Sequence, residues 1–342
     1  MIEGNRPRHL CPQAEELLDV ILGRPTERVP CFELFFDNPP IMQHFLGREG
    51  SREFPDRLAF AIAIGWGSVC AASFGLMHGR RSAVASDGTS HYAGGSPLTW
   101  QALEDLTDPE LDPLIEQYLV NARAARAEGM LAHVFLLHCF HSAATGIGLE
   151  RLSLMVYDEP ELLAAYMRRV EQFNQRVLRA LLSTGVLPDL VFFDGDCAFK
   201  NALMVSPQVY RELIFEPTAA TCRICRDAGI PFLLHTDGRI DEVYPVWLDL
   251  GFVGAHSVEK QANDLGEIKR RFGDRMTLFG NFDPVELALG RPEEIRRAAA
   301  EMVRVGKPGG RYVAAVNTIV GREVPLKNYL AFLDGVAEAS AY

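Results

Sequence analysis

The sequence predicts an α/β chain closed into a (β/α)8 TIM barrel, with an N-terminal helical extension and a β-hairpin insertion after strand two. Three observations carry this. Eight short apolar runs alternate with longer segments of helical periodicity. Most runs are apolar throughout, as strands of a parallel sheet covered on both faces are. The runs end in polar residues, which is how barrel strands deliver chemistry at their C-terminal ends. The clearest is Phe232-Leu-Leu-His235-Thr-Asp237-Gly238.

In chain order, residues 1–25 read as a helix packed outside the barrel. The strands follow at Val29–Leu34, Gly67–Ala72, Ala132–Leu137, Leu190–Phe193, Pro231–Leu234, Phe252–Ala255, Met276–Phe279 and Tyr312–Val316. Between them lie helical patterns such as Pro160 to Thr184, Pro207 to Ala228, Leu265 to Phe272 and Pro292 to Val305. Asp158-Glu-Pro160 and Arg291-Pro-Glu-Glu294 place proline and acids in a first helical turn. Gly185, Gly229, Gly251, Gly273 and Gly306 fall where helices should stop. The segment Ser82–Gly94 alternates small and polar residues around Asp87-Gly88, a hairpin turn signal. An open doubly wound sheet is the alternative, but no Gly-x-Gly-x-x-Gly follows a strand. No linker divides the chain, so residues 1–342 are expected to form one domain.

Composition narrows the function. The 342 residues are 48% hydrophobic, enough for a full core. Net charge is −11 without a long basic run, so nucleic acid is not an expected partner. No apolar run reaches the roughly 18 residues of a membrane span, and the first residues lack the apolar core of a signal peptide. A cytoplasmic protein without membrane association is the expectation. Seven scattered cysteines argue against a disulfide framework. Cys222-Arg-Ile-Cys225 stands alone in a helical pattern and reads as two small apolar residues one turn apart.

The strand ends collect the candidate chemistry. They offer Glu33 and Asp37; His138 and His141; Asp194, Asp196 and Lys200; His235 and Asp237; His256 and Glu259; Asn281 and Asp283; and Asn317, Thr318 and Arg322. Strand two offers no comparable cluster. Any one of these residues can be a helix cap or a satisfied loop residue. Their convergence on one face points to a small-molecule ligand or a reaction. His235 and Asp237, two residues apart, suit a zinc ion, a hydrogen-bonded pair or a substrate-binding pair. Asp194 and Asp196 suit acid–base work or the positioning of a ligand.

Together these segments resemble the uroporphyrinogen decarboxylase superfamily, which includes the decarboxylase of haem synthesis and corrinoid-linked methyltransferases. The resemblance lies in Arg28-Val-Pro30, Asp194-Gly-Asp196 through Lys200, Met204-Val-Ser206-Pro207, Tyr210-Arg-Glu-Leu, His235-Thr-Asp-Gly238, Gly280-Asn281-Phe-Asp283, Gly310-Arg-Tyr-Val and Val324-Pro325-Leu-Lys-Asn328. It spans nearly the whole chain and implies the barrel already reached by counting strands. The departures matter. The decarboxylases carry an arginine-rich stretch after strand one, where this chain reads Phe32-Glu33-Leu-Phe-Phe-Asp37-Asn38. Acids there would repel a polycarboxylate. Thiol-directed methyltransferases hold zinc on a His and two Cys, of which only His235 matches; Asp237 takes one cysteine position and Thr318 stands near the other.

The resemblance therefore implies a corrinoid-dependent methyltransferase or demethylase acting on a small methylated compound, with the corrinoid supplied by a partner protein. On that reading His235, Asp237 and Asp196 are catalytic, and His235 and Asp237 would hold zinc if it is bound, with Glu33 or Cys197 as a third ligand. Glu33, Asp194, Lys200, Asn281 and Arg322 would bind substrate, and Phe35, Phe36 and Phe140 would wall the pocket. A rival reading is a decarboxylase of uroporphyrinogen or another acid, with Arg322, Arg239 or Lys200 holding the carboxylate. Another is a non-catalytic barrel that binds a ligand or a corrinoid protein. Exposed helical faces would allow a homodimer.

Overall fold

Burial of the apolar runs on both faces produces a parallel sheet wrapped by helices. A computed structural model describes residues 9–84 and 90–342. The strands are β1 (Phe35–Phe36), β2 (Ser68–Phe74), β3 (Ser82–Val84), β4 (Ser90–Tyr92), β5 (Leu131–Leu137), β6 (Leu190–Asp194), β7 (Phe232–His235), β8 (Gly254–His256), β9 (Thr277–Phe279), β10 (Tyr312–Val313) and β11 (Ile319–Val320). Seven run parallel in the order β10-β9-β8-β7-β6-β5-β2. The eighth position is taken by the segment before β1. There Phe32 N–H donates to Ala314 O, and Ala314 N–H donates to Pro30 O.

The expected first and last strands, Val29–Leu34 and Tyr312–Val316, are less regular than predicted. Pro30 has no N–H to give. The N–H of Val316 donates to the Glu33 carboxylate at 2.9 Å rather than to a carbonyl. Regular pairing resumes only where β1 meets β11. Among the described residues no ladder joins this first strand to β2. Side chains close that seam: Phe32 and Phe36 pack edge-on against Trp66 at 5.9 and 5.6 Å between ring centroids.

The N-terminal helix runs from Pro12 to Leu22 and crosses the bottom of the barrel. Thr277, at the start of β9, donates its hydroxyl to the Val20 carbonyl. Gly67, just before β2, lies so close that a Cβ would sit 2.3 Å from Gln13 O. This helix seals the N-terminal end and leaves the other end for ligands. The hairpin pairs β3 with β4 antiparallel; its expected turn at Asp87-Gly88 lies outside the described residues. The expected long helices form at Pro160–Ser183 and Pro292–Gly306. The Pro207–Ala228 pattern is one continuous helical run with a wider turn at Arg211–Phe215. Cys222 and Cys225 are buried in it, and burial pushes both thiols up, as apolar packing residues would be. No helix among the described residues is long and apolar enough to cross a membrane.

Candidate active site

Register brings the polar strand ends together. β6 pairs with β7 so that Asp194 sits beside His235, and β7 pairs with β8 so that His235 sits beside His256. His235 and His256 place their Nδ1 atoms 2.8 Å apart, so one ring donates and the other accepts. Burial, and then the neighbouring His235, hold His256 well below the ordinary imidazole range, so it stays neutral. The His235 Nε2 atom faces Asp196 Oδ1 at 3.8 Å. Asp196 is fixed by the backbone N–H of Asp237, which donates to Oδ1 at 3.0 Å.

Asp237 accepts from the Ser257 hydroxyl at 2.8 Å. Burial pushes its carboxyl up to about 6; His235 and Ser257 oppose the rise, and Asp196 and Glu259 add to it. Asp196, His235 and Asp237 present ligand atoms within 4.8 Å of one another. One nitrogen and two carboxylates at this spacing fit a divalent cation such as zinc. Asp196, rather than Glu33 or Cys197, is the third residue that could hold such an ion. Cys197 instead packs its thiol on the Thr236 hydroxyl at 3.6 Å.

Next to this cluster opens a cavity of about 790 Å³. Its walls include Phe35, Phe36, Phe74, Phe135, Leu137 and Met204, and its polar end is His141, Asp194 and Asp196. His141 Nδ1 lies 3.2 Å from Asp194 Oδ1. Burial alone would lower His141, but the hydrogen bond and charge of Asp194 outweigh it and hold the imidazole above its ordinary range. Asp194 is likewise pushed up by burial, yet the bond to His141 and its charge keep it below the usual carboxylate value. His141 and Asp194 therefore form a charged pair at the cavity wall.

Several predicted residues sit elsewhere. Glu33 is buried at the seam, in a smaller chamber rather than the main cavity. Asn281 lines a separate cleft with Met302 and Asp264, because it follows β9 and faces the surrounding helices. Lys200 is exposed and bonded to Gln261. Arg322 is exposed and paired with Asp37 at 3.3 Å, and Arg239 is paired with Asp241 at 3.0 Å. Phe140 is buried against Tyr210 and does not reach the pocket wall. His138 is a core residue bonded to Thr218 at 3.0 Å. Among the described residues the cavity is also lined by Arg57 and Arg80, which no strand end in the sequence points to. Arg80 lies in the loop after β2, so strand two does contribute polar groups, together with Cys70 and Ser73. No ion pair engages Arg57 or Arg80 among the described residues.

Residues 99–339 match the family model described as uroporphyrinogen decarboxylase. The chain belongs to the uroporphyrinogen decarboxylase family. Within that family it resembles the uroporphyrinogen decarboxylase of Alkalilimnicola ehrlichii, at 28% identity over 196 residues, covering 56% of this chain and 50% of that protein. The corresponding protein of Coxiella burnetii is 24% identical over 194 residues, covering 54% and 50%. The chain thus spans about half the length of the curated relatives it matches. Among solved structures, a methyltransferase from Methanosarcina mazei superposes over 95% of this chain and 98% of its own, with a TM-score of 0.74 and 16% identity. That likeness establishes the shared barrel.

Proposed function

We propose that this family member is a corrinoid-dependent methyltransferase or demethylase acting on a small methylated compound. The observation that carries the reading is the joining of an apolar, aromatic-walled cavity to a charged His141–Asp194 pair, with Asp196, His235 and Asp237 beside it. A methyl group on oxygen or nitrogen leaves only if the atom left behind takes a proton or meets a Lewis acid. The methyl–oxygen or methyl–nitrogen bond breaks with its electron pair kept by the heteroatom. The imidazolium of His141 holds the proton that this atom takes, and Asp194 keeps the ring charged and oriented. Asp196 links the cavity to His235, and His256 fixes which His235 nitrogen carries the proton. The phenylalanines exclude water and hold the body of the substrate.

The methyl acceptor would be a corrinoid supplied by a partner protein. Zinc, if bound, would lie on Asp196, His235 and Asp237 and supply Lewis-acid assistance. Elemental analysis of wild type and His235→Ala tests this: near-stoichiometric zinc lost in the variant supports the site, and none in either refutes it.

A second reading is decarboxylation, favoured by Arg57 and Arg80 in the cavity, which have no carboxylate partner among the described residues and which a substrate carboxylate would meet. The first reading is tested by turnover of methoxy-aromatic and methylamine compounds in the presence of a corrinoid protein. His141→Ala, and His235→Ala combined with Asp237→Ala, should each lower methyl transfer at least a hundredfold. Undiminished transfer in these variants would reject the assignment.

A further inference from the structure

At the seam between the first strand and β2 lies a second chamber of about 90 Å³. It shares Leu34, Phe36, Arg57 and Cys70 with the wall of the main cavity, so the two spaces adjoin. Four residues that line it each carry a buried nitrogen or oxygen with no hydrogen-bond partner among the described residues: Glu33 Oε1, Arg57 Nε, Trp66 Nε1 and His133 Nε2. Such groups are ordinarily satisfied, and each one left unmet costs about 1–3 kcal/mol. Four on the wall of one small chamber are not explained by packing. Glu33 and His133 are 3% and 2% exposed, so bulk water does not answer for them.

Their chemistry selects a guest. Arg57 Nε and Trp66 Nε1 can only donate, and Arg57 is a permanent cation with no carboxylate paired to it among the described residues. Ser68 donates its hydroxyl to Leu131 O at 3.2 Å and lies 2.8 Å from His133 Nδ1. The tautomer of His133 sets whether its free Nε2 meets a guest as donor or as acceptor. Glu33 keeps one oxygen on the Val316 N–H and has the other free. Burial favours its protonated form, in which it adds a donor rather than a repelling charge. A volume near 90 Å³ holds about three waters or one guest of three to four heavy atoms. We propose that this chamber binds a single small carboxylate-type oxyanion, held by Arg57 and Trp66, whichever reaction the main cavity performs. The guest is either free or the carboxylate end of a ligand whose body lies in the main cavity.

Formate, followed by isothermal titration and by its own NMR line broadening, tests the assignment on the full chain. Wild type should bind one formate per chain saturably. Trp66→Phe, which removes one donor and keeps the ring, should weaken binding roughly tenfold, the worth of one charge-assisted hydrogen bond. Arg57→Met should abolish it, and Glu33→Gln, which stays neutral, should keep it within about threefold. If Arg57→Met does not fold, Trp66→Phe still decides. No saturable formate in wild type would overturn the proposal, leaving a chamber of water. So would binding lost in Arg80→Met but kept in Trp66→Phe, which would put the anion in the main cavity. Acetate competing with formate supports a carboxylate site; chloride displacing formate equally well overturns it.

Discussion

Replacing Glu33 with glutamine should stabilise the protein at alkaline pH and leave it unchanged in acid. Burial moves the Glu33 carboxyl from 4.5 to about 8, and the Val316 N–H offsets only part of that rise. A carboxyl raised in the folded state binds its proton more tightly there than in the unfolded chain. The stability it contributes is therefore complete below about pH 4.5 and is lost as pH rises to about 8. Each pH unit is worth about 1.36 kcal/mol, so ionised Glu33 costs the fold at most about 5 kcal/mol. At about 2.1 cal/mol/K per residue, a chain of 342 residues converts that into a Tm change of about 7 °C. Glutamine keeps the acceptor for Val316 and cannot ionise. Thermal melts of wild type and Glu33→Gln, in buffers free of small carboxylates, should coincide near about pH 4 and separate by up to about 7 °C near about pH 9. A gap that is constant across pH, or a variant less stable in alkali, would refute the burial of an unpaired acid at this seam.

Three further outcomes follow from the site and its supports. Asp194→Asn removes the charge that raises His141, so the alkaline limb of the activity profile should move to lower pH; an unmoved limb would detach His141 from catalysis. His256→Phe removes the 2.8 Å partner of His235, and should lower kcat roughly 10–100-fold with little change in KM. Asn38 accepts from the N–H of Ile41 and donates to the carbonyls of Gly321 and Val324. Asn38→Ala should cost about 2–4 kcal/mol in chemical denaturation, more than a simple cap, because buried carbonyls lose their donor.

The barrel is legible in the sequence because its strands are continuously apolar and their polar ends are local. Phe232–His235 and Leu190–Asp194 each state both where a strand lies and what it delivers. Parallel pairing then does the rest, since register alone sets Asp194 beside His235 and His235 beside His256. What is not local is not legible. Arg57 lies in the helix Phe54–Ile64, and nothing in that segment marks which of its faces meets the cavity. Arg80 follows β2 by six residues, beyond the run that identifies the strand. Glu33 reads as one more strand-end acid, yet one of its oxygens takes the Val316 N–H of the last strand and its side chain lines the small chamber. Their strand positions point Asn281 and Arg322 to the mouth, but a cleft among helices takes one and a surface ion pair takes the other.

Methyl transfer, and not loss of carbon dioxide, is the reaction proposed beside His141, Asp194 and Asp196. The most direct measurement supplies aromatic acids labelled separately in the methoxy and carboxyl carbons, with a corrinoid protein, and follows both labels. The account predicts that methoxy label moves to the corrinoid protein while carboxyl label stays with the ring, and that His141→Ala stops the movement. Carboxyl label released as carbon dioxide, with the methoxy group intact, would contradict it.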